Sequence, residues 1–300
     1  MTRTSDDSWG LTTGVGATAT LVAAARAVAS RGPDPLISDP FAEVLVREVG
    51  SKLFTRIVDG RIDFSEIGAT WLPSYFGIRH KAFDDFATGA CGLGIRQLVI
   101  LASGLDCRAY RLRWPANMAI YEVDQPTVVE WKQSTLARLG AASTARHHLV
   151  GSDLRQGWST ALRQAGFDAS KPTAWIVEGL LVGYLPPAAH DAILDAITAL
   201  SAPGSRIAAD HVDVRRPNVV SEFLSRFHDL WSKLDAGVHL RGLAFTGPRH
   251  DPAVYLAMRG WITHNNNLND LYRAAGRPVP AASDFPAESE FMLFLDGIRY

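Results

Sequence analysis

Two neighbouring stretches determine the fold: VILASGLDCRAYRL at residues 99–112 and MAIYEVDQP at residues 118–126. In the first stretch a short apolar run ends in small residues, and in the second a similar run ends in the acids Glu122 and Asp124. Small residues after a strand let a ligand approach the backbone, and an acid at the tip of the next strand can accept hydrogen bonds from ribose hydroxyls. The two stretches therefore predict a nucleotide or nucleoside site at the carboxyl edge of a parallel sheet.

The composition of the chain argues against several classes of protein. Basic and acidic residues are balanced, 30 against 31, and no basic block gives the electrostatic footprint of a nucleic-acid-binding protein. The two cysteines, Cys91 and Cys107, cannot form a disulfide framework, and no Cys/His cluster has the spacing of a metal site. Asp6 and Asp7 are untypical of a signal peptide, and no apolar run is long enough to span a membrane. We therefore expect a soluble, cytoplasmic protein without a bound metal, a nucleic-acid partner or an integral membrane segment.

The chain changes character part-way along its length. Residues 1–90, which include predicted helices at 18–30 and 75–87, are expected to form a helical extension that packs on the core. Residues 91–300 alternate short apolar runs with helical segments, which is typical of a doubly wound, mostly parallel, Rossmann-like sheet with helices on both faces. The predicted strands are residues 98–101, 118–123, 148–150, 174–177, 205–209, 260–264 and 291–295.

Residues 212–258 interrupt this alternation. Apolar side chains fall at helical spacing within them, at Phe223, Phe227, Leu230, Trp231 and Leu234. The pattern fits either an amphipathic helix that covers the core or a helical insertion after the fifth strand that lids a substrate pocket. Because the next predicted strand comes so late, we favour the lid insertion.

The turn after the first strand and the acids after the second form the first part of the predicted site. Ala102, Ser103 and Gly104 make up the small-residue turn. Of the two acids, we expect one to face the ligand. We assign the ribose to Asp124, which is nearer the strand tip, and keep Glu122 as the second candidate.

The ends of the third and fourth strands supply further polar groups. Asp153 and Leu154 follow the third strand, where an acid and a backbone group could hold adenine, although Asp153 could equally cap a helix. Glu178 follows the fourth strand and is costly to bury alone, so it is either functional or paired with an arginine. Arg79 is a candidate for binding a ligand carboxylate, because a guanidinium can do so bidentately.

These groups favour S-adenosylmethionine over a nicotinamide dinucleotide. A dinucleotide needs a glycine-rich turn that seats its pyrophosphate on a helix N-terminus, but Leu105 and Asp106 follow Gly104, and Asp106 would repel the pyrophosphate. S-adenosylmethionine has no phosphate and needs an acid for its ribose and polar groups for its adenine, ammonium and carboxylate. An NAD(P)-dependent oxidoreductase is the alternative enzyme, and a regulatory protein that binds S-adenosylmethionine without catalysis is a third interpretation.

The order of the motifs resembles that of a known family. The motifs are LASGLDCRAYRL (101–112), EVDQP (122–126), DLR (153–155) and EGLL (178–181), preceded by DPFA (39–42). They resemble the leucine carboxyl methyltransferase-like family, and within it the mycobacterial branch of S-adenosylmethionine-dependent methyltransferases. The resemblance implies a class I methyltransferase fold with seven strands, of which the last is antiparallel.

The resemblance also implies which residues contact the cofactor. They are Arg79, Ala102, Ser103, Gly104, Asp124, Asp153, Leu154 and Glu178. Members of the family usually have Gly-Ala-Gly where this chain has Ala102, Ser103 and Gly104. We expect the added methyl and hydroxyl groups to crowd the methionine moiety and to weaken cofactor binding.

The acceptor decides what further chemistry the site needs. Methyl transfer from a sulfonium is an in-line displacement, so the protein mainly positions donor and acceptor and excludes water. A carboxylate acceptor is already ionised at neutral pH, whereas a hydroxyl needs a general base. Tyr184 and His211 are the candidate catalytic residues, although His211 could equally be a hydrogen-bonded structural histidine. We therefore expect O-methylation of a carboxylate or hydroxyl on a small or lipid-like acceptor.

Overall fold

One seven-stranded sheet forms within the part of the chain that the computed structural model describes, namely residues 10–31, 34–216, 218–232, 240–245 and 247–300. The strands are β1 (Gln97–Leu101), β2 (Ala119–Asp124), β3 (Arg146–Gly151), β4 (Ala174–Leu181), β5 (Arg206–Val212), β6 (Trp261–Asn266) and β7 (Met292–Arg299). Their order across the sheet is β3-β2-β1-β4-β5-β7-β6, and β7 runs antiparallel to both of its neighbours while the other pairs are parallel. The predicted doubly wound, mostly parallel sheet is confirmed.

The central strands are apolar on both faces because helices cover the sheet on both sides. On one face, Ile100 of β1 and Ile176 of β4 belong to a buried cluster that includes Phe83, from the helix before β1. On the other face, the neighbouring residues Val99 and Trp175 belong to a second buried cluster. Side chains that alternate between two cores explain why the sequence of these strands is continuously apolar.

Four helices precede the sheet, and seven follow β1 within the described residues. They are α1 (Gly14–Ala29), α2 (Ala42–Val49), α3 (Lys52–Val58), α4 (Leu72–Gly92), α5 (Arg108–Arg111), α6 (Pro126–Arg138), α7 (Trp158–Gln164), α8 (Pro187–Ala199), α9 (Val219–Ser232), α10 (Pro252–Ala257) and α11 (Leu268–Ala274). Helices α1 and α4 begin earlier than the predicted spans 18–30 and 75–87, and α3 and α5 were not predicted from the sequence. The division of the chain into a 1–90 extension and a 91–300 domain stays a prediction.

Particular residues explain where the helices before the sheet begin and end and how they pack. Asp39 precedes α2 and stabilises the turn that leads into it, because its Oδ1 atom accepts hydrogen bonds of 3.1 Å from the backbone N–H groups of both Phe41 and Ala42. Gly50 ends α2 with a left-handed backbone, φ +76°. Ala23 and Ala24 are fully buried in α1, and their small side chains let α1 pack closely against α2, α3 and α4.

The insertion after β5 contributes α9 and α10. Phe223 and Phe227 lie on α9 as the helical spacing predicted, with ring centroids 4.6 Å apart. Leu234 lies outside the described residues, as do Asp6 and Asp7, and the description of α9 does not extend to the side chains of Leu230 and Trp231. Within the described ranges, no helix combines the length and the apolarity needed to cross a membrane.

Candidate active site

A cavity of about 240 Å³ lies at the carboxyl ends of the parallel strands. Its walls come from the ends of β1, β2, β3 and β4, from α1, α4 and α9, and from the segment that leads into β7. Most of the residues predicted for the site meet there: Arg79, Ala102, Ser103, Gly104, Asp124, Asp153, Leu154, Glu178 and Tyr184. Glu122 and His211 do not line it.

The turn after β1 has an unusual backbone. Ala102 has φ +53° and Gly104 has φ +44°, and the left-handed region costs an alanine roughly 1–2 kcal/mol. A Cβ atom on Gly104 would also come within 3.3 Å of the Cβ of Ala19 in α1. All three residues of the turn, Ala102, Ser103 and Gly104, line the cavity.

Asp124 holds this turn and faces the cavity at the same time. Its Oδ2 atom accepts a 2.6 Å hydrogen bond from the Gly104 N–H, and its Oδ1 atom accepts a 2.7 Å bond from the Gln125 N–H. Burial raises the pKa of the Asp124 carboxyl, and the two amide donors oppose that rise. Each carboxylate oxygen keeps capacity for a further hydrogen bond. A carboxylate beside an open backbone turn fits a nucleoside ribose, so the residues present suit S-adenosylmethionine.

Glu122 was the second candidate for the ribose, and the structure corrects that expectation. The Glu122 side chain is completely buried, with Oε2 2.5 Å from Lys132 Nζ and Oε1 3.2 Å from His147 Nε2. Alternation along β2 does not separate it from Asp124, because residues two positions apart share a face of the sheet. Their positions along the strand separate them, because Asp124 is the last residue of β2 whereas Glu122 lies two residues before the end, where it pairs with Lys132 of α6.

The surroundings of Glu122 keep it charged. Burial would raise the pKa of Glu122, but Lys132 and His147 lower it to about 2. Glu122 is therefore ionised at neutral pH and has a structural role in the fold.

Lys132 connects this buried ion pair with the turn above it. Its ammonium is fully buried and donates hydrogen bonds to Ser103 Oγ at 3.2 Å and to the Asp106 backbone carbonyl at 3.0 Å. This hydrogen bond from Lys132 fixes the position of the Ser103 hydroxyl. Sequence reasoning missed Lys132, since a lysine on a helix normally indicates a solvated residue.

Asp153 fixes the loop after β3. Its carboxylate accepts hydrogen bonds from the Arg155 backbone N–H at 2.8 Å, from Arg155 Nε at 2.9 Å and from Gln125 Nε2 at 3.0 Å. Although burial raises the pKa of Asp153, these donors, Arg155 first, lower it to about 2. Asp153 is not a helix cap, because the N-cap of α7 is Gly157. It stands beside Leu154 on the wall of the cavity.

The sequence left open whether Glu178 is a functional residue or the ion-pair partner of an arginine, and the structure is consistent with both. It lines the cavity and is also paired with arginines: Arg108 Nη2 lies 2.8 Å from Oε2, and Arg79 Nη2 lies 3.2 Å from Oε1. Burial opposes ionisation, but Arg108, His80 and Arg79 hold the pKa of Glu178 well below its ordinary value. The expected end of β4 at residue 177 was wrong, because the strand continues through Glu178 with irregular pairing to β5.

Arg79 is held in place by a second acid that the sequence did not suggest. Arg79 Nη1 donates a 2.9 Å hydrogen bond to Asp210 Oδ2, and the same carboxylate accepts a hydrogen bond from the Gly179 N–H. Asp210 is completely buried on β5. Arg79 therefore lies at the cavity with its orientation fixed by Asp210 on one side and Glu178 on the other.

His211, expected to face the acceptor, lies elsewhere. It is 1% exposed, its Nε2 atom lies 3.0 Å from Asn265 Oδ1, and its Nδ1 atom lies 3.2 Å from the Val212 carbonyl oxygen. A separate small cavity, also lined by His190 and Arg249, contains it. The structural interpretation of His211 accounts for these contacts. Tyr184, by contrast, lines the large cavity.

The part of the cavity near β4 and β7 is mainly apolar. Trp71, Tyr75 and Phe76 line it from α4 and the residue before α4, and Phe223 lines it from α9. The Trp71 and Phe223 rings meet edge to face, with centroids 5.6 Å apart, so the insertion contacts the start of α4 directly across this end. Sequence reasoning placed aromatic side chains in the insertion but did not find those of α4.

Several known proteins are similar to this chain in sequence. Residues 19–198 match the family model described as "Leucine carboxyl methyltransferase". A Mycobacterium marinum protein named "Putative S-adenosyl-L-methionine-dependent methyltransferase" is 46% identical over 304 aligned residues, which cover 100% of this chain and 99% of that protein. A Mycobacterium avium protein of the same name is 50% identical over 282 residues, which cover 93% of this chain and 91% of that protein.

A solved structure shares the fold. The crystal structure of a DUF574 family protein from Streptomyces avermitilis has a TM-score of 0.51 at 12% identity, covering 93% of this chain and 97% of that chain. The strand order and the antiparallel β7 define a class I methyltransferase fold. The chain belongs to the leucine carboxyl methyltransferase family. The predicted family, fold class and S-adenosylmethionine-dependent methyltransferase class are thereby confirmed, while the roles of individual site residues stay predictions.

Proposed function

We propose that this methyltransferase moves the methyl group of S-adenosylmethionine to an oxygen, carboxylate or hydroxyl, of a small or lipid-like acceptor. One observation carries the proposal: a single cavity joins a nucleoside-type end, at Ala102, Gly104 and Asp124, to an apolar end at Trp71 and Phe223. Donor and acceptor can therefore occupy one continuous cavity, where they could be aligned for an in-line displacement.

In this proposal each polar residue of the cavity has a separate task. Asp124 accepts hydrogen bonds from the ribose, and Asp153 with the Leu154 backbone holds the adenine. Arg79 and Glu178, already fixed by their ion pairs, bind the charged groups of the methionine end. When bound, S-adenosylmethionine supplies a methyl group made electrophilic by its sulfonium.

Tyr184 and the surrounding helices act on the acceptor side. Tyr184 lines the cavity just after β4, and we assign its hydroxyl to positioning the acceptor oxygen. Helices α1 and α9 line the cavity, and we assign to them the exclusion of water from the reacting atoms. We propose that α9 belongs to a lid, as its placement after β5 and its contact with Trp71 support.

The proposal is tested with the full chain and methyl-labelled S-adenosylmethionine. Binding of S-adenosylmethionine, NAD and NADP is compared by calorimetry, and label transfer is then measured over a panel of carboxylic acids, alcohols and phenols. We expect S-adenosylmethionine to bind and label to enter an oxygen-linked methyl group. Binding of NAD or NADP alone would support an oxidoreductase, and binding of S-adenosylmethionine without transfer to any acceptor would support a regulatory protein; either result contradicts the proposal.

A further inference from the structure

The edge of the sheet at β6 concentrates exposed apolar side chains. Among the described residues, eight large apolar side chains are exposed, and five of the eight lie in or directly next to α10, β6 and β7. These five are Val254, Met258, Ile262, Ile298 and Tyr300. An exposed apolar residue on its own is ordinary, but a cluster of them marks a binding surface. We call this surface the β6 edge.

The β6 edge carries apolar groups on both faces of the sheet. Helix α10, with Val254, packs on one face, where Thr263 Oγ1 donates a 3.0 Å hydrogen bond to the Ala253 carbonyl. Ile262, next to Thr263 in the strand, points to the opposite face, where it is 64% exposed and lies directly across from Ile298 of β7. The β6 edge is separate from the large cavity, because none of its five apolar residues lines that cavity.

The backbone of β6 is open on the side away from β7. The Tyr300 N–H donates a 3.3 Å hydrogen bond to the Gly260 carbonyl, which fixes the phase of the antiparallel ladder. Because hydrogen-bonding residues alternate between the two sides of a strand, the N–H and C=O groups that point outward are those of Trp261, Thr263 and Asn265. β6 is the outermost strand, so no other strand of the described chain pairs with them. β6 also lacks lysine, proline and a bulge, which are the usual protection of a sheet edge.

The size of the β6 edge suits a second copy of the chain. At roughly 100–200 Å² for each whole side chain, the exposed fractions of 42–80% leave on the order of 500 Å² of apolar surface. A standard interface takes about 800 Å² from each partner, and in homodimers about 65% of that area is apolar. The two apolar areas agree, so one twofold-related copy would cover the β6 edge.

We propose that two copies of the chain pair antiparallel along β6 around a twofold axis beside Ile262. In this register Trp261 hydrogen-bonds with the partner's Thr263, and Thr263 with the partner's Trp261, so outward groups meet outward groups. Ile262 lies opposite the partner's Ile262 as a non-hydrogen-bonded pair, the type in which facing side chains come closest. The Ile262 and Ile298 side chains of both copies then form one apolar row across the joined sheets.

The open backbone favours a protein strand over a lipid surface as the occupant of the β6 edge. Lipid would cover the apolar side chains but would leave the outward N–H and C=O groups of β6 without hydrogen-bond partners. A second β6 satisfies those groups with an identical strand. Because β6 contains no acid, lysine or arginine, none of its side chains meets a like charge on its own copy.

Analytical ultracentrifugation of the full chain tests the association. At concentrations up to about 100 µM, which cover the affinities of interfaces of this size, we expect the wild-type chain to have twice the 32.6 kDa mass of one copy. Ile262→Lys places a charge at the twofold axis and should return the mass to that of one copy, with an unchanged circular dichroism spectrum. Leu93→Lys alters a similarly exposed apolar residue outside the β6 edge and, as the control, should stay dimeric.

Cysteine cross-linking tests the register and does not depend on the lysine variant. Ile262→Cys should form a disulfide with its own copy on mild oxidation, because facing Cβ atoms of a non-hydrogen-bonded pair lie within reach of one. His264→Cys is also exposed and lies on the same face of β6, but it faces the partner's Gly260 and should not cross-link. The wild-type chain, which has Cys91 and Cys107, is oxidised in parallel as the background.

Several results would overturn the inference. A wild-type chain that keeps the mass of one copy over the whole concentration range has no such interface. A dimer that survives Ile262→Lys uses another surface, and cross-linking of His264→Cys in place of Ile262→Cys contradicts the register. A single copy that sediments with phosphatidylcholine vesicles, and loses this binding in Ile262→Lys, would assign the β6 edge to a lipid surface instead.

Discussion

Asp124 and Gly104 join the tips of β2 and β1 through a 2.6 Å hydrogen bond from the Gly104 N–H to Asp124 Oδ2. The Asp124 carboxylate therefore stabilises the turn, and it is also the group that we propose for binding the ribose. Ala102, in the same turn, has a left-handed φ of +53°. Changes to any of the three residues should therefore alter cofactor affinity together with the stability of the turn.

Ala102→Gly should increase the affinity for S-adenosylmethionine by a factor of about three to ten, because it removes a methyl group from the cavity wall. Glycine also relieves roughly 1–2 kcal/mol of left-handed strain and loses about 0.4–1 kcal/mol through the entropy of the unfolded chain, so stability should rise slightly or stay level. Calorimetry and urea denaturation measure the two effects. Ala137→Gly, at an exposed position of α6, is the control and should lower stability without changing affinity. Weaker binding in Ala102→Gly would show that the methyl group does not crowd the donor.

Lys132→Met should lower the free energy of unfolding by about 3–5 kcal/mol at neutral pH, because it leaves the buried Glu122 carboxylate with His147 as its remaining partner. Glu122→Gln combined with Lys132→Met should restore much of the loss, since no uncompensated charge then remains buried. Urea denaturation of the three proteins measures this. A double variant as unstable as the single one would contradict the ion-pair account.

The same pair predicts a pH dependence. The pKa of Glu122 is lowered to about 2 in the folded protein, below its ordinary value of 4.5. The stabilisation is therefore fully present above about pH 4.5 and is lost as the pH falls toward 2. Urea denaturation between pH 7 and pH 3 should show the difference between the wild-type chain and Lys132→Met shrinking toward acid pH. A difference that stays constant over this range would contradict ionisation of Glu122 in the fold.

The strand ends could be predicted from the sequence because they follow from local pattern. Apolar runs followed by small or acidic residues are enough to identify Ala102–Gly104, Asp124 and Asp153 as the ends of successive strands. Nearness to the strand tip favoured Asp124, which lines the cavity, over Glu122, which is buried behind it. Continuation of β4 through Glu178 was missed, because a glutamate followed by glycine locally indicates the end of a strand.

The partners that fix the site could not be predicted in the same way. Asp210 meets Arg79 across 131 positions of sequence, and Arg108 meets Glu178 across 70. Such pairs depend on how α4 and α5 pack on the sheet, which local spacing does not encode. His211 illustrates the opposite error: its position just after the apolar core of β5 suggested the acceptor site, but its side chain points to Asn265 instead.

Tyr184→Phe should lower kcat/KM for the acceptor by about tenfold, because the hydroxyl proposed to position the acceptor oxygen is removed. His211→Gln, which keeps a hydrogen-bonding group next to Asn265, should leave kcat/KM within about twofold because His211 lies outside the cavity. Steady-state kinetics between pH 6 and pH 9 separate the two variants. Loss of activity in a folded His211→Gln protein, with a changed pH profile, would return His211 to the catalytic role that the sequence suggested.

The most direct test of the central claim is the affinity of Asp124 variants for S-adenosylmethionine, measured by calorimetry. Asp124→Ala should abolish detectable binding, and Asp124→Asn, which keeps an oxygen for the Gly104 N–H, should retain the fold but bind at least about tenfold more weakly. Asp213→Asn is the control, because Asp213 follows β5 outside the cavity lining and is paired with Arg215. If the folded Asp124 variants bind S-adenosylmethionine as tightly as the wild-type chain and the Asp213 control, the nucleoside site at the tips of β1 and β2 is contradicted.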